Sequence, residues 1–474
     1  MLEPSIPQAN IYDAIANGSG HIQIRALAGS GKTTTLIGAL DYTKPTDKVA
    51  FVAFAKAIVQ EIESRVPTDR HIKVATLHST GFGVLRKAYG RVFCAHGSHD
   101  KTRKILNETY KDLPSNFFGP AYKAVSLAKA YLAESIEDIY SICEEFDINY
   151  SDKDSGLSFD IFVQMILRTL NISKEMTSYI DFDDMIYMPV VQDLSIPKFD
   201  WVFGDESQDF NKAQIEFICR MVKTNGRICV VGDPAQAIYG FRGAATGAMD
   251  IFKEKMSAKE YPLSVSYRCP KLICELASKD VPEFSAAPNA IDGSIVYENY
   301  EYMKENASAG SFILSRKNAP LASLIFGFIS QGKKAMIRGK DYGEGLLNVV
   351  NNFKEDYSEF IQYVNDWENE EIIRLKKRIA NPKTDMIEDK AQCLRIIGSN
   401  CKSKNELIDN IKNLFSDVND KSAIMLSTTH KAKGLESDTV YVLADTYSHS
   451  EQEERNLWYV AITRSKNELF IINP

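Results

Sequence analysis

Residues 26–36 read Ala-Leu-Ala-Gly-Ser-Gly-Lys-Thr-Thr-Thr-Leu, and this stretch constrains the fold more than any other part of the chain. The alternating apolar run at 21–27 before it predicts a half-buried strand, and the apolar segment at 36–40 predicts the start of a helix. A strand, a glycine-rich turn and a helix are the context that a phosphate-binding loop needs. The glycines let successive backbone N–H groups point at phosphate oxygens.

The side chains after the glycine turn suit a nucleotide. Lys32 can reach the β- and γ-phosphates, and the Thr33 hydroxyl can hold Mg²⁺. The partial positive charge of the helix N-terminus adds to this site. Ala26 occupies the first position of the usual eight-residue pattern, where a glycine is expected. A turn that merely connects a strand and a helix is therefore the alternative, and the flanking pattern and the downstream motifs favour the nucleotide site.

A second segment supplies the carboxylates that nucleotide hydrolysis requires. An apolar run at 199–204 predicts a strand, and it ends in Asp-Glu-Ser-Gln-Asp at 205–209. Asp205 is expected to bind the Mg²⁺ that Thr33 holds, and Glu206 to orient or deprotonate the attacking water. A charged strand end is the alternative, but it would have to explain three carboxylates within five residues.

Composition limits the remaining possibilities without pointing to a function. The 474 residues predict about three or four domain-sized units. The net charge of −7 means that any DNA contact must come from a local basic groove. Eight cysteines without a Cys-x-x-Cys pair argue against a zinc site and for a reducing compartment. Because there is no long apolar run or signal peptide, we expect a cytoplasmic protein without a membrane span.

Aromatic and basic side chains follow another predicted strand, at 227–232. The loop after it contains Gln236, Tyr239, Phe241 and Arg242. Aromatic faces stack on unpaired bases for about 1–3 kcal/mol each, and arginine contacts phosphate. Aromatic residues are also common in cores, but here glycine and arginine separate them, which favours exposure.

Two further predicted strands, at 48–54 and 73–79, bring side chains to the edge of an open α/β sheet where ligands bind. Phe54 and Lys56 follow the first strand, and the second delivers Thr76 and His78. A single histidine in such a place is also often structural.

Two mainly helical segments interrupt the strand pattern, at 94–180 and 341–422. The first has basic residues that could face DNA or form a solvated helix face, and they include Lys101, Arg103, Lys104, Lys123 and Lys129. The predicted intervals are 1–93, 94–180 and 181–260 for the first α/β domain with its helical insertion, and 261–340, 341–422 and 423–474 for the second.

Nine motifs in a fixed order resemble the UvrD/PcrA/Rep family of superfamily 1 helicases, over a little more than half of the chain. They are Gln8, Gly-Ser-Gly-Lys-Thr (29–33), Thr-Leu-His-Ser (76–79), Asp-Phe-Asp-Asp (181–184), Asp-Glu-Ser-Gln-Asp (205–209), Gly-Asp-Pro-Ala-Gln-Ala-Ile-Tyr-Gly-Phe-Arg-Gly-Ala (232–244), Tyr-Arg (267–268), Thr-His-Lys-Ala-Lys-Gly-Leu-Glu (429–436) and Tyr-Val-Ala-Ile-Thr-Arg (459–464).

The resemblance implies an α/β fold of two RecA-like P-loop domains, each with a mainly helical insertion, and ATP with Mg²⁺ bound between them. Arg268 and Arg464 would act as arginine fingers from the second domain. The implied catalytic residues are Lys32, Thr33, Asp205, Glu206, Gln236, Arg268 and Arg464, with Thr33 and Asp205 on the metal. The implied ATP-binding residues are Gln8, Ala28, Gly29, Ser30, Gly31, Lys32, Thr33, Thr34, Tyr267, Gly434 and Glu436.

The resemblance also implies a substrate and an activity. A DNA-dependent ATPase would translocate 3′-to-5′ on single-stranded DNA and unwind duplex at single/double-strand junctions, in replication, repair or recombination. We expect a monomer in isolation, with a replication or repair protein as a partner. The implied DNA-binding residues are Phe54, Lys56, Thr76, His78, Tyr239, Phe241, Arg242, Arg316, Asn318 and His430.

Four departures from the family pattern keep alternatives open. Thr34 stands where an arginine is common, Phe-Ala-Lys at 54–56 replaces Phe-Thr-Asn-Lys, and Phe241 replaces a tryptophan. The second insertion is much shorter than in the best-known members, which puts duplex engagement in question. A single-strand translocase that displaces proteins is one alternative. A nucleotide-gated DNA-binding subunit of a larger complex is another, although such a subunit needs no hydrolytic Glu206.

Overall fold

The computed structural model describes residues 3–53, 56–67, 70–95, 97, 100–146, 148, 150, 156–240, 243–245, 247–376, 384–418 and 420–474. The chain divides into two compact units, of which unit 1 comprises residues 1–264 and unit 2 comprises residues 265–377 and 381–474. The division lies four residues after the predicted domain boundary at 260. Each unit is an α/β structure, and the predicted fold class of two RecA-like domains is confirmed.

Unit 1 is built on a parallel sheet whose described strands run in the order β3-β2-β6-β7-β1-β8. The strands are β1 (Ile22–Ala26), β2 (Val49–Ala53), β3 (Ile72–Thr76), β6 (Phe199–Gly204), β7 (Val222–Gly232) and β8 (Lys259–Leu263). All five residues of β2 are buried, which explains its continuous Val-Ala-Phe-Val-Ala sequence, because helices cover both faces of a parallel sheet.

The helices of unit 1 include a group between β3 and β6 that forms its own apolar core. A short parallel pair, β4 (Phe93–Cys94) and β5 (Tyr179–Ile180), closes this insertion. The helices are α1 (Ile6–Ala16), α2 (Lys32–Ala39), α3 (Lys56–Glu63), α4 (Leu77–Tyr89), α5 (Lys101–Thr109), α6 (Ser115–Tyr131), α7 (Ile136–Glu145), α8 (Phe159–Glu175), α9 (Asp184–Val191), α10 (Lys212–Arg220) and α11 (Ala248–Met256).

Two basic residues of this insertion are internal, and for them both predicted alternatives, DNA contact and a solvated face, are wrong. The side chains of Lys101 and Lys129 are fully buried. Lys101 Nζ lies 2.9 Å from Asp184 Oδ2, and Lys129 Nζ lies 2.6 Å from Asp181 Oδ2 and 2.9 Å from Asp184 Oδ1. Thr102 Oγ1 also donates to Asp181, at 2.8 Å. We call these five side chains the buried ion cluster; it joins α5 and α6 to the start of α9.

Unit 2 contains a second parallel sheet, with its described strands in the order β11-β16-β15-β12-β14-β13. A short pair, β9 (Val265–Ser266) and β10 (Ser285–Ala286), precedes it. The sheet strands are β11 (Ser294–Asn299), β12 (Phe312–Ser315), β13 (Ala335–Arg338), β14 (Ile424–Thr428), β15 (Ser437–Leu443) and β16 (Ser465–Asn473).

The second helical insertion shares one apolar core with this sheet. Leu346, Leu394 and Ile411 from the insertion lie in the same buried cluster as Ile313 and Ile424 from the strands. The helices of unit 2 are α12 (Lys271–Ala277), α13 (Tyr300–Asn306), α14 (Ala319–Ser330), α15 (Lys340–Asn352), α16 (Phe360–Lys376), α17 (Asp385–Ser399), α18 (Lys404–Leu414), α19 (Thr429–Ala432) and α20 (Gln452–Ile462).

Among the helices in the described part of the chain, none combines the length and the apolar character that crossing a bilayer requires.

Candidate nucleotide and nucleic-acid sites

The loop between β1 and α2 has the backbone of an anion-binding turn. Gly29 has φ 70° and Gly31 has φ 85°, a left-handed conformation that favours glycine. The buried Ser30 hydroxyl donates to the Leu27 carbonyl at 2.8 Å, which closes the turn from inside. Since α2 begins at Lys32, its free N–H groups and partial positive charge lie at the end of this turn. These residues fit a nucleotide phosphate.

Thr33 and Asp205 lie together although 172 positions separate them in sequence. Thr33 Oγ1 donates to Asp205 Oδ2 at 2.7 Å. Burial and the neighbouring Glu206 raise the pKa of Asp205 to about 6, against the opposing effects of Thr33 and of the Lys32 charge. A hydroxyl and a carboxylate oxygen are hard donors that suit Mg²⁺, which takes few protein ligands and completes its shell with phosphate and water. The pair therefore fits the predicted metal.

Glu206 has a backbone conformation that is uncommon for a side chain of its size. Its φ is 54°, in the left-handed region, and its N–H donates to Asp205 Oδ1 at 2.8 Å. Such strain costs about 1–3 kcal/mol and is typical of functional sites. Gln208 Nε2 donates to Glu206 Oε2 at 2.6 Å. The carboxylate of Glu206 is thus held beside the Thr33–Asp205 pair.

A hydrogen-bonded chain joins Glu206 to the end of the neighbouring strand β7. Gln208 Oε1 accepts from the N–H of Asp233 at 2.9 Å, and Asp233 Oδ2 accepts from Gln236 Nε2 at 2.8 Å. Burial raises the pKa of Asp233 to about 6, and the Lys32 charge opposes this shift. Gln208 and Asp233 were not among the predicted site residues. The signal for them was their position directly after two apolar strands.

Gly232 leaves the space that this chain of hydrogen bonds occupies. A Cβ at this position would lie 2.6 Å from Gln208 Oε1, 2.6 Å from Ser207 Oγ and 2.8 Å from Met249 Sδ. We expect Gly232→Ala to lower the free energy of unfolding by about 1–3 kcal/mol, the cost of overpacking, and to lower ATP turnover. Denaturant unfolding and steady-state kinetics measure both effects.

Gly83→Ala is the matched control, because nothing lies within 4 Å of the Cβ that it adds to α4. It should leave stability unchanged or raise it by up to about 1 kcal/mol, as expected for Gly-to-Ala in a helix. Equal stability and turnover for the two variants would contradict the role given to Gly232.

The other predicted ATP-binding residues of unit 1 lie at or near the loop. Gln8 Nε2 donates to Thr35 Oγ1 at 3.0 Å, and it lies 3.7 Å from where a Cβ of Gly31 would be. Ala28 is buried and Thr34 is exposed. Adenine recognition by Gln8 stays a prediction.

In unit 2, two predicted nucleotide residues bind each other. Arg268 Nε lies 2.5 Å from Glu436 Oε2, and both side chains are partly exposed. Tyr267 is 57% exposed, as a stacking residue requires, and Gly434 has φ 84° in the turn before β15. Arg268 is predicted to act as an arginine finger and Glu436 to contact ATP. For both roles, the ion pair would have to break or include the nucleotide as a further partner.

Arg464 is in a different environment from the one expected of an arginine finger. It is 1% exposed, and its guanidinium donates to the carbonyls of Val460 at 2.8 Å and Leu435 at 3.2 Å. Its catalytic role stays a prediction.

The predicted DNA-binding residues of unit 1 are described only in part. The Thr76 side chain accepts from the N–H of Ser79 and so caps α4. His78 stacks on Phe182 with ring centroids 3.9 Å apart, and burial lowers its pKa to about 4, so it is neutral near pH 7. Tyr239 is half-buried in the loop after β7. Phe54, Phe241, Arg242 and the side chain of Lys56 lie outside the described residues.

In unit 2, the predicted DNA-binding residues follow the neighbouring strands β12 and β14. Arg316 Nε binds Glu454 Oε1 at 2.9 Å, and Asn318 Nδ2 donates to Asp389 Oδ2 at 3.1 Å. His430 is half-buried in α19. The structure therefore brings these three residues to the carboxyl edge of the second sheet, where ligands bind in open α/β folds.

Comparison with known proteins gives two family matches. The UvrD/REP helicase N-terminal domain matches residues 8–257, and the UvrD-like helicase C-terminal domain matches residues 333–473. The first match alone covers more than half of the chain and lies in unit 1, and the second begins within unit 2.

Three relatives illustrate the range of similarity. F-box DNA helicase protein 1 of Schizosaccharomyces pombe is 24% identical, over 98% of this chain and 57% of its own length. ATP-dependent DNA helicase PcrA of Bacillus subtilis is 27% identical, over 56% of this chain and 38% of its own. Gabija protein GajB of Bacillus cereus is 22% identical, over 97% of this chain and 94% of its own length. The chain thus spans less than two thirds of the first two relatives and nearly all of the third.

Proposed function

Because the chain belongs to the UvrD/REP helicase family, we propose that it is an ATP-dependent DNA helicase that translocates 3′-to-5′ on single-stranded DNA and unwinds duplex. The observation that carries the ATPase part is the 2.7 Å contact between Thr33 and Asp205 beside Lys32 and Glu206. These four side chains have the chemistry that phosphoryl transfer to water needs: an ammonium for phosphate, oxygen ligands for Mg²⁺, and a carboxylate for the nucleophile.

Bound ATP and Mg²⁺ supply the phosphoanhydride and the cation that neutralises the developing charge. Thr33 and Asp205 hold the metal, and Lys32 with the glycine turn binds phosphate. Glu206 orients the attacking water and accepts its proton. Gln236, which hydrogen-bonds Asp233, links this site to the loop that contains Tyr239, so that the state of the phosphate is passed to the proposed DNA contacts.

The proposed substrate is single-stranded DNA and its junctions with duplex. Support comes from Tyr239 and His78, which are half-buried in unit 1, and from the polar residues that follow β12 and β14 in unit 2. A cytoplasmic location, a monomeric state, and a replication or repair partner are parts of the same proposal.

A second candidate is a single-strand translocase that displaces proteins with little unwinding. One observation favours it: the second insertion shares its core with the sheet of unit 2 instead of forming a separate body. Each unwound base-pair step costs about 1.4 kcal/mol, so a motor without duplex contacts would unwind slowly.

Hydrolysis of ATP with and without single-stranded DNA tests the proposal. We expect strong stimulation by DNA, because the DNA-binding and ATP-binding segments are joined through Gln236. Displacement of an oligonucleotide from duplexes with a 3′ or a 5′ tail then measures unwinding and its direction, and release of streptavidin from end-biotinylated strands measures protein displacement.

Unwinding of the 3′-tailed duplex alone would support the first candidate. Streptavidin release without strand separation would support the second. If neither DNA nor RNA stimulates hydrolysis, the motor proposal fails for this chain, and a DNA-binding subunit of a larger complex becomes the better description.

A further inference from the structure

Unit 2 contains a cavity of about 240 Å³ at the carboxyl edge of its sheet. Its walls come from the ends of β13 and β14, from the start of α14, from α19, and from helices α15 and α17 of the second insertion. The residues that line it are Asn318, Arg338, Gly339, Asp341, Tyr342, Gly345, Met386, Lys390, Thr428 and Lys431.

Three of these residues are cationic, and each comes from a different element. Arg338 ends β13, Lys390 lies on α17 and Lys431 lies on α19, and all three are half-buried. Lys431 Nζ lies 2.5 Å from Asp341 Oδ1, the acidic residue of the lining, and Arg338 Nη1 donates to the Asp417 carbonyl at 3.3 Å. The described walls thus carry three cationic side chains and one carboxylate, and their net positive charge favours an anion.

The insertion helix α17 is fixed to this edge by a buried carboxylate. Asp389 is 8% exposed and accepts from the N–H of Asn318 at 3.2 Å, from Asn318 Nδ2 at 3.1 Å and from the N–H of Ala319 at 2.7 Å. The Tyr342 hydroxyl donates to it at 2.9 Å. Because Asp389 already has these four donors, its charge is compensated locally, and the adjacent Lys390 is held at the cavity.

The lining also has space and donors for a phosphate group. Lys390 Nζ lies 3.6 Å from where a Cβ of Gly345 would be, so its ammonium lies against α15 at the wall of the cavity. The Thr428 hydroxyl and the Asn318 amide add neutral donors beside the cations. Cations with hydroxyl and amide donors are the groups that contact the backbone of nucleic acids, whereas base recognition uses stacking surfaces.

We propose that this cavity binds a phosphodiester group of single-stranded DNA, with Lys390 and Arg338 as its principal cations. The inference rests on the proposed function and adds to it a role for the second insertion. Neither cation belongs to the motifs that carry the family resemblance. The short insertion extends the strand-binding edge beyond Asn318 and His430, and it contributes to holding the strand that the motor moves along.

Equilibrium binding of a fluorescein-labelled oligothymidylate over a range of salt concentrations tests the proposal. The logarithm of the binding constant falls with the logarithm of salt by about 0.7 for each neutralised phosphate of a single strand. Lys390→Ala and Arg338→Ala should each reduce this slope by up to about 0.7 and weaken binding by up to about fivefold at 0.1 M salt. Lys390→Arg should retain the wild-type values.

Lys412→Ala is the matched control, since it removes an exposed lysine from α18 of the same insertion. It should leave the slope unchanged. Circular dichroism and thermal unfolding would show that each variant is folded. A competition with inorganic phosphate at constant ionic strength separates a strand site from a site for a free anion.

Wild-type slopes and affinities in both alanine variants would overturn the proposal while leaving the motor intact. If inorganic phosphate binds the wild type, and does so more weakly in Lys390→Ala, but does not displace the strand, the cavity is a site for a free anion. That result would also overturn the proposal. Wild-type protein that binds no strand would refute the proposed function and this site together, whereas wild-type binding with the expected variant losses supports both.

Discussion

Glu206→Gln is expected to lower DNA-stimulated ATP turnover by about 10²–10⁴, the usual contribution of a general base. The amide keeps the size of the side chain and can still accept from Gln208 Nε2, the contact that is 2.6 Å in the wild type. It cannot accept a proton from water at neutral pH. ATP binding and strand binding should stay within a small factor of wild type, because Lys32, Thr33 and the glycine turn are unchanged. Steady-state hydrolysis, with nucleotide and strand affinities measured by fluorescence, tests all three expectations.

Glu254→Gln makes the same chemical change at an exposed position on α11 and should leave turnover unchanged. If Glu206→Gln hydrolyses ATP at the wild-type rate, Glu206 is not the base. Asp209 would then be the next carboxylate to examine, because it ends the short helical turn Ser207–Asp209 that Glu206 precedes. If turnover falls because nucleotide no longer binds, the left-handed backbone at Glu206 has a structural role instead.

The parts of the fold that follow local rules could be predicted from sequence. The phosphate loop lies between a strand and a helix as predicted, because the glycine turn and its apolar flanks are contiguous. In unit 2, the apolar runs at 310–315, 334–338, 439–443 and 468–472 predict the strands that the structure has as β12, β13, β15 and β16, whereas β11 and β14 of this unit and β8 of unit 1 were not predicted. β8 and β11 lie at the edges of their sheets. Because all the residues of β11 are half-buried or exposed, its sequence does not alternate clearly between apolar and polar residues.

Contacts between distant residues explain most of what sequence could not provide. The Thr33–Asp205 contact was expected because the phosphate loop and the acidic strand end assign both residues to one Mg²⁺. The Arg268–Glu436 pair was not, since the resemblance places both residues on ATP and says nothing about how they interact without it. The Asp389 contacts to Asn318 depend on an insertion whose packing follows from burial and not from a motif.

The buried ion cluster shows the same limit for charge patterns. Lysines spaced along a helix indicate a solvated or ligand-binding face when only the helix is considered. The partners of Lys101 and Lys129 are the acidic residues Asp181 and Asp184, between 52 and 83 positions away. The motif Asp-Phe-Asp-Asp thus has a structural function in this chain: two of its carboxylates anchor the first insertion.

Lys129→Met is expected to lower the free energy of unfolding by about 3–5 kcal/mol, because removing one partner of a buried ion pair leaves the other uncompensated. Burial alone would lower the pKa of Lys129, but Asp181 and Asp184 outweigh it and raise that pKa. Conversely, burial would raise the pKa of Asp181, and Lys129 holds it at about 2. The stabilisation from Asp181 is therefore present above the unfolded pKa of about 3.9 and is lost as pH falls towards 2. Denaturant unfolding of the wild type and of Lys129→Met between about pH 2 and pH 7 measures the loss of stability and its pH dependence.

Lys111→Met removes an exposed lysine between α5 and α6 and should change stability by less than about 0.5 kcal/mol. Adding Asp181→Asn to Lys129→Met should restore part of the loss, because it removes the carboxylate that has lost its cation, whereas Asp184 keeps its ion pair with Lys101. A double variant less stable than Lys129→Met would mean that the hydrogen bonds of Asp181 with Thr102 and the N–H of Asp184 stabilise the insertion by more than the uncompensated charge of Asp181 costs. If Lys129→Met is as stable as wild type, the ammonium is not buried in solution, and the basic residues of this insertion become candidates for DNA contact after all.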